Sequence, residues 1–173
     1  AIHNPGISEK VKDRPELTKI FAKYNVEGSF LLFDSLEHTF TAVNLERTNK
    51  RFTPASTFKI PNALIFLETG VVINQNTPTE KWDGTKYDYP GWNEDQTLRS
   101  AIKNSVVWYF QTNAKKVGKD RMQKYVDLFN YGNRDISKGV DKFWLEDGMR
   151  ISQREQIDFL RRMYSYSLPV KRE

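Results

Sequence analysis

The 173-residue chain has no cysteine and only two histidines, His3 and His38. It can therefore form no disulfide and holds no thiolate nucleophile, and it can build neither a zinc thiolate nor a multi-histidine metal centre. A Ser-His-Asp triad is also disfavoured, because His3 lies beside the terminus and His38 falls in the turn of an expected hairpin. Any nucleophilic chemistry must use a serine or threonine activated by a base other than histidine. Long apolar runs are missing as well. The best stretch, 60–73, is interrupted by Pro61, Asn62, Glu68 and Gly70, so no membrane span of ~18 or more apolar residues is expected. The opening Ala1-Ile2-His3-Asn4-Pro5 has neither the basic head nor the apolar stretch of a secretory leader. That leaves a cytoplasmic protein or a mature exported one.

What is present describes a folded protein. A hydrophobic content of 38% and an aromatic content of 13% suit a packed core, and the length suits one domain over 1–173. The net charge is +5. Its densest basic stretch, 115–124, reads as a solvated helix face, so no nucleic-acid partner is expected. No repeat, low-complexity segment or linker interrupts the chain.

The pattern predicts a short helix over 15–24 opened by Asp13, then strands over 28–33 and 39–44 around the turn Asp34-Ser35-Leu36-Glu37-His38. After Pro54-Ala55-Ser56 comes a helix apolar on nearly every side, hence buried, which Gly70 stops. Residues 82–92 form an irregular, aromatic-rich loop. Helices follow over 98–103, 106–117 and 119–129, then a turn at Tyr131-Gly132-Asn133. A last helix starts at the capping box Ser152-x-x-Glu155 and runs to about Tyr166. Early strands followed by a helical cluster predict an α+β fold. Two strands are too few for a stable sheet, so further strands are expected beyond Glu173.

The chemistry centres on Ser56-Thr57-Phe58-Lys59. At a helix start, residues three apart share a face, so the Ser56 hydroxyl and the Lys59 amine can meet where free backbone N–H groups favour developing negative charge. The S-x-x-K spacing alone is weak, since Ser100-Ala101-Ile102-Lys103 matches it too. Context separates them. Lys103 lies on a polar, amphipathic helix, whereas Lys59 sits among Phe58, Ile60 and Leu64, where burial lowers an amine's pKa. Ser105, between two helices, can project into a cleft. Tyr131-Gly132-Asn133 taken alone is a glycine turn, and Trp144 taken alone is a core aromatic.

Together these elements resemble the class D (oxacillinase-type) β-lactamases. The resemblance rests on Pro54-Ala55-Ser56-Thr57-Phe58-Lys59-Ile60-Pro61-Asn62, Lys81-Trp82-Asp83-Gly84, Ser105-Val106-Val107, Tyr131-Gly132-Asn133, Phe143-Trp144-Leu145-Glu146 and Arg150-Ile151-Ser152. They stand in the family's order and approximate spacing from about Tyr24 onward. The resemblance implies the penicillin-recognising serine-enzyme fold, a helical cluster packed against an antiparallel sheet, and an exported protein, periplasmic or secreted, in its mature form. It implies β-lactam small molecules as partners and Ser56 as the nucleophile that forms an acyl-enzyme. Lys59 would be carboxylated by carbon dioxide or bicarbonate and act as general base, with no other cofactor and no metal. Trp144 would hydrogen-bond the resulting carbamate, and Ser105 would pass a proton to the departing lactam nitrogen. Val107 and Leu145 would wall the carbamate off from water, and Tyr131 would shape the edge of the substrate site. The Ser56 backbone N–H would form half of the oxyanion hole.

The chain departs from the family in one respect: it contains no Lys-[Ser/Thr]-Gly triplet, the family's third active-site wall. The expectation is a partial catalytic domain. The nearest rival is a β-lactam sensor domain that stays acylated to signal. Sensors of that kind carry a polar Asn where this chain has Val107, so the apolar residue favours a hydrolase. Transpeptidases and carboxypeptidases of the penicillin-binding class usually show S-x-N, which Ser105-Val106-Val107 does not match.

Overall fold

The structure, a computed structural model, describes residues 9–171. They form two compact units.

The first unit comprises residues 9–52 and 151–168. Its sheet contains β1 (Lys10–Asp13), β2 (Phe30–Asp34) and β3 (Thr39–Val43) in the order β1-β3-β2. The expected hairpin is β2–β3, antiparallel, with Phe30 opposite Val43 and Asp34 opposite Thr39. Asp34 shapes its turn by accepting the Leu36 and Glu37 N–H groups at 2.9 and 3.0 Å. β1 runs parallel to β3, so the sheet is mixed. Asp13 ends this strand and does not cap the following helix. The short 3-10 turn Pro15–Leu17 leads into α1 (Thr18–Lys23) without any side-chain cap. Every residue of β1 is exposed, which removes the period-two pattern that reveals a strand. α2 (Leu45–Thr48) is a single turn capped by the left-handed Asn44. α7 (Gln153–Tyr164) begins at the expected Ser152/Glu155 capping box and packs against β2. Arg154 and Arg161 lie over the rings of Phe40 and Phe33, at 3.8 and 3.9 Å, and both donate to Glu9.

The second unit comprises residues 53–150 and 169–171. It holds α3 (Lys59–Glu68), α4 (Leu98–Lys103), α5 (Val107–Val117) and α6 (Lys119–Leu128). α5 is the centre, packed on α3, α4 and α6. Phe58, Ile65, Phe66, Tyr109, Phe110 and Phe129 are fully buried in it. Burying such side chains stabilises a fold by about 1.5–3 kcal/mol each, and here it fixes α3 against α5. Gly118 (φ +81°) supplies the left-handed step that separates α5 from α6. Within the basic 115–124 stretch, Lys115 pairs with Asp141 and Lys116 with Glu80. Among the described residues no helix is long and apolar enough to cross a membrane, and no three His, Asp or Glu side chains group as metal ligands would.

Candidate active site

A 3-10 turn, Ala55–Phe58, leads straight into α3. Ala55 adopts φ +48°, a conformation that costs a residue with a Cβ about 1–3 kcal/mol. The turn is held by the Ala55 N–H, which donates to the Trp144 carbonyl at 2.9 Å, and by Thr57, whose N–H and hydroxyl both donate to the Pro54 carbonyl. The result is an exposed Ser56 above a buried Lys59. The Lys59 Nζ lies 2.9 Å from Ser56 Oγ, and the Ser105 hydroxyl lies 3.2 Å from the same oxygen. Ser105 itself has φ +53° and sits in the link between α4 and α5. One hydroxyl thus meets an amine on its own turn and a second hydroxyl from 49 residues away.

Lys59 is only 4% exposed. Burial pushes its pKa down, and no charged partner opposes the shift. Its amine lies 5.5 Å from the centre of the Phe110 ring. Val107 opens α5 three residues before Phe110 and so shares its face. Val107 and Leu145 are each half-buried.

Beneath the turn lies an aromatic bed. Trp144 stacks on Phe58 (5.8 Å, 19°), while Phe143 and Tyr131 meet the same ring edge-on at 5.0 and 5.2 Å. Trp144 is fully buried, and its indole N–H has no hydrogen-bond partner among the described residues. Tyr131 is also fully buried, and its ring supports the Ser56 turn through Phe58. Asn133 does the stitching in that motif. Its N–H donates to the Arg150 carbonyl, its Nδ2 donates to the Gly148 carbonyl, and its Oδ1 accepts the Arg150 N–H, each at 2.9 Å. Those bonds tie the 131–133 turn to the far end of the segment that carries Trp144.

The second S-x-x-K element is different. The Ser100 hydroxyl is committed to the α4 capping box and to Gln96, while Lys103 is exposed. Residues that motif reasoning passed over are Phe110, the Asn133 clamp and Asn62. Asn62 is fully buried one turn beyond Lys59, and neither of its amide atoms has a partner among the described residues. Phe110 was legible, since it follows Val107 by three on one helix face. An orphaned amide leaves no mark in a sequence.

The sequence profile of the penicillin binding protein transpeptidase domain matches residues 19–171. Beta-lactamase OXA-19 of Pseudomonas aeruginosa is 42% identical over 172 residues, an alignment that covers 99% of this chain and 64% of the relative. The chain thus spans a little under two thirds of that relative's length. The crystal structure of a class D β-lactamase from Sebaldella termitidis superposes with a TM-score of 0.90 at 36% identity, covering 95% of this chain and 66% of that one. The C-terminal domain of the Bacillus licheniformis BlaR penicillin receptor superposes at 0.88 with 36% identity, covering 96% and 66%. The profile match runs over nearly all the described residues and shows the kinship: the chain belongs to the penicillin binding protein transpeptidase domain family, and the proteins it resembles within that family include class D β-lactamases.

Proposed function

We propose that the protein hydrolyses β-lactams through an acyl-enzyme on Ser56. The observation that carries this is the contact of Ser56 Oγ with both Lys59 Nζ and Ser105 Oγ. The Ser56 oxygen bonds to the lactam carbonyl carbon and gives its proton to the base at Lys59. The ring C–N bond then breaks, and the nitrogen takes a proton through Ser105. Water later hydrolyses the ester and returns the proton to Ser56. Burial favours the neutral form of the Lys59 amine, the form that can receive that proton.

Carboxylation of Lys59 by dissolved carbon dioxide fits this site. A neutral amine is the form that reacts, and the buried, unpartnered Trp144 N–H is a donor suited to an acceptor oxygen there. When present, the carbamate supplies a carboxylate-like base. Trp144 would hold it, and Val107, Leu145 and Phe110 would keep water from it. β-Lactams are the partners this reading names, and an extracytoplasmic location goes with it. The likeness to the BlaR receptor domain raises a second reading, a sensor that stays acylated. The apolar Val107, on the α5 face that carries Phe110, favours turnover over that reading.

The test is mass spectrometry of the full-length protein after mixing with penicillin. One transient adduct is expected on the peptide that contains Ser56, and none in Ser56→Ala. Labelling at Ser100, or an adduct that survives Ser56→Ala, removes the assignment. An adduct that persists for hours selects the sensor.

A further inference from the structure

Ser105 is held in a conformation that its own chemistry does not favour. A serine at φ +53° persists only where its surroundings over-determine it. The Asn104 carbonyl, immediately before Ser105, accepts the indole N–H of Trp92 at 2.9 Å. The Trp92 carbonyl in turn accepts the indole N–H of Trp108 at 3.0 Å. Trp108 stands on the first turn of α5, just after Ser105. The two bonds close a loop in which the helix following Ser105 grips the segment that grips the residue preceding it.

The rest of that segment is rigidly seated. The rings of Tyr87 and Tyr89 pack against Trp92 at 5.3 and 5.4 Å. Gln96, fully buried, donates to the Gly91 carbonyl at 2.8 Å. A Cβ on Gly91 would fall 2.9 Å from the Asn104 side-chain nitrogen, so the backbone lies flush against the residue it restrains.

We propose that Trp108 is a positioning residue for Ser105, acting through Trp92 to keep the Ser105 hydroxyl aimed at Ser56. This rests on the reading of Ser105 as the proton relay in β-lactam opening. A Ser105 hydroxyl 3.2 Å from Ser56 Oγ has little room to drift and still share a proton path. The clamp therefore acts on acylation. It does not act on the Lys59 base.

The experiment uses full-length protein and Trp108→Phe, which keeps an aromatic ring, though a smaller one, and removes the N–H donor. Acylation by a fluorescent penicillin is expected to slow about three- to tenfold, the effect of one lost hydrogen bond. Deacylation should stay within about twofold, and amide exchange at Ser105 and Val106 should quicken. Gly91→Ala, which wedges the same contact, should slow acylation in the same direction. The discriminating arm is a double-mutant cycle: in a Ser105→Ala background, Trp108→Phe should add nothing. An equal loss in that background assigns Trp108 a merely structural part and overturns the proposal. So does unchanged acylation in Trp108→Phe. If wild-type protein takes up no penicillin, the catalytic reading fails separately. Amide exchange then decides alone, and unchanged protection at Ser105 and Val106 ends the clamp.

Discussion

Ser56-x-x-Lys59 and Ser100-x-x-Lys103 share a spacing, a helix start and a compact unit, yet the structure puts them to opposite uses. The Ser56 hydroxyl is exposed and meets an amine and another hydroxyl. The Ser100 hydroxyl is spent on backbone and amide partners: it accepts the Thr97 N–H at 3.0 Å and lies 2.7 Å from Gln96 Oε1. Lys59 is buried, and desolvation disfavours its charge, while Lys103 stands in water. The difference comes from what surrounds each motif. Before Lys59 the turn is strained at Ala55 and bonded to Trp144, which lifts Ser56 out. Before Ser100 a capping threonine pulls the hydroxyl in. A four-residue pattern specifies proximity of two groups, and burial decides whether that proximity is chemistry or architecture.

The sharpest way to break this comparison is at Lys59. Lys59→Met keeps an unbranched side chain as far as Cε and removes the amine. Acylation should fall about 10²–10⁴-fold, the usual worth of a positioned base, and no concentration of bicarbonate should restore it. Stability should move the other way. In the folded chain the Lys59 pKa lies below its unfolded value of about 10.4, so the unfolded state binds more protons between those two values. Stability then rises with pH across that window, and the cost of burying Lys59 is fully present below it. Lys59→Met should therefore raise stability at neutral pH by about 1–2 kcal/mol. The gain should fade as pH approaches about 10.4. Denaturant melts at pH 7 and pH 10 check it. A destabilised Lys59→Met at pH 7 would show that Lys59 is a structural lysine.

Sequence pattern carried most of the helical unit because its signals were local. The apolar run after Ser56 marks a face and Gly70 an end, and in the other unit the Ser152/Glu155 box marks a helix start. β1 was missed because Lys10 to Asp13 carries no alternation and pairs only by proximity to β3, a long-range event. At the site, Ser56, Lys59 and Ser105 were legible as a set because motif order supplied the third dimension that spacing lacks. Tyr131 packs edge-on against Phe58 and is fully buried, a placement that no one-dimensional signal announces. The partnerless Asn62 amide and the Trp92–Asn104 bond arise from packing between distant segments, and nothing local announces them.

A smaller effect is expected at Ser100. Removing its hydroxyl breaks the reciprocal capping box with Thr97 and leaves Gln96 Oε1, which is fully buried, without its 2.7 Å partner. The loss should be about 1–3 kcal/mol of stability, read by chemical denaturation of Ser100→Ala. The penicillin adduct should remain on Ser56. If Ser100→Ala lost acylation while keeping its stability, the two motifs would have exchanged roles.

The smallest effect is expected at Lys103, and its smallness is informative. On spacing alone, Lys103 has the same claim to be a base as Lys59. Its position argues otherwise. It occupies the last turn of α4, where a cation complements the helix dipole by about 0.3–1 kcal/mol at most, less in salt. Replacing it with alanine forfeits that interaction and recovers part of it through alanine's higher helix propensity. The net change in Lys103→Ala should stay within about 0.5 kcal/mol, the range of an ordinary surface substitution. Ser100, its only spacing partner, is already engaged by Gln96 and the capping box. The acylation rate of Lys103→Ala should match wild type across the whole pH profile. A rate that falls in Lys103→Ala, or a pH profile that shifts with it, would mean that burial is not what separates these two lysines.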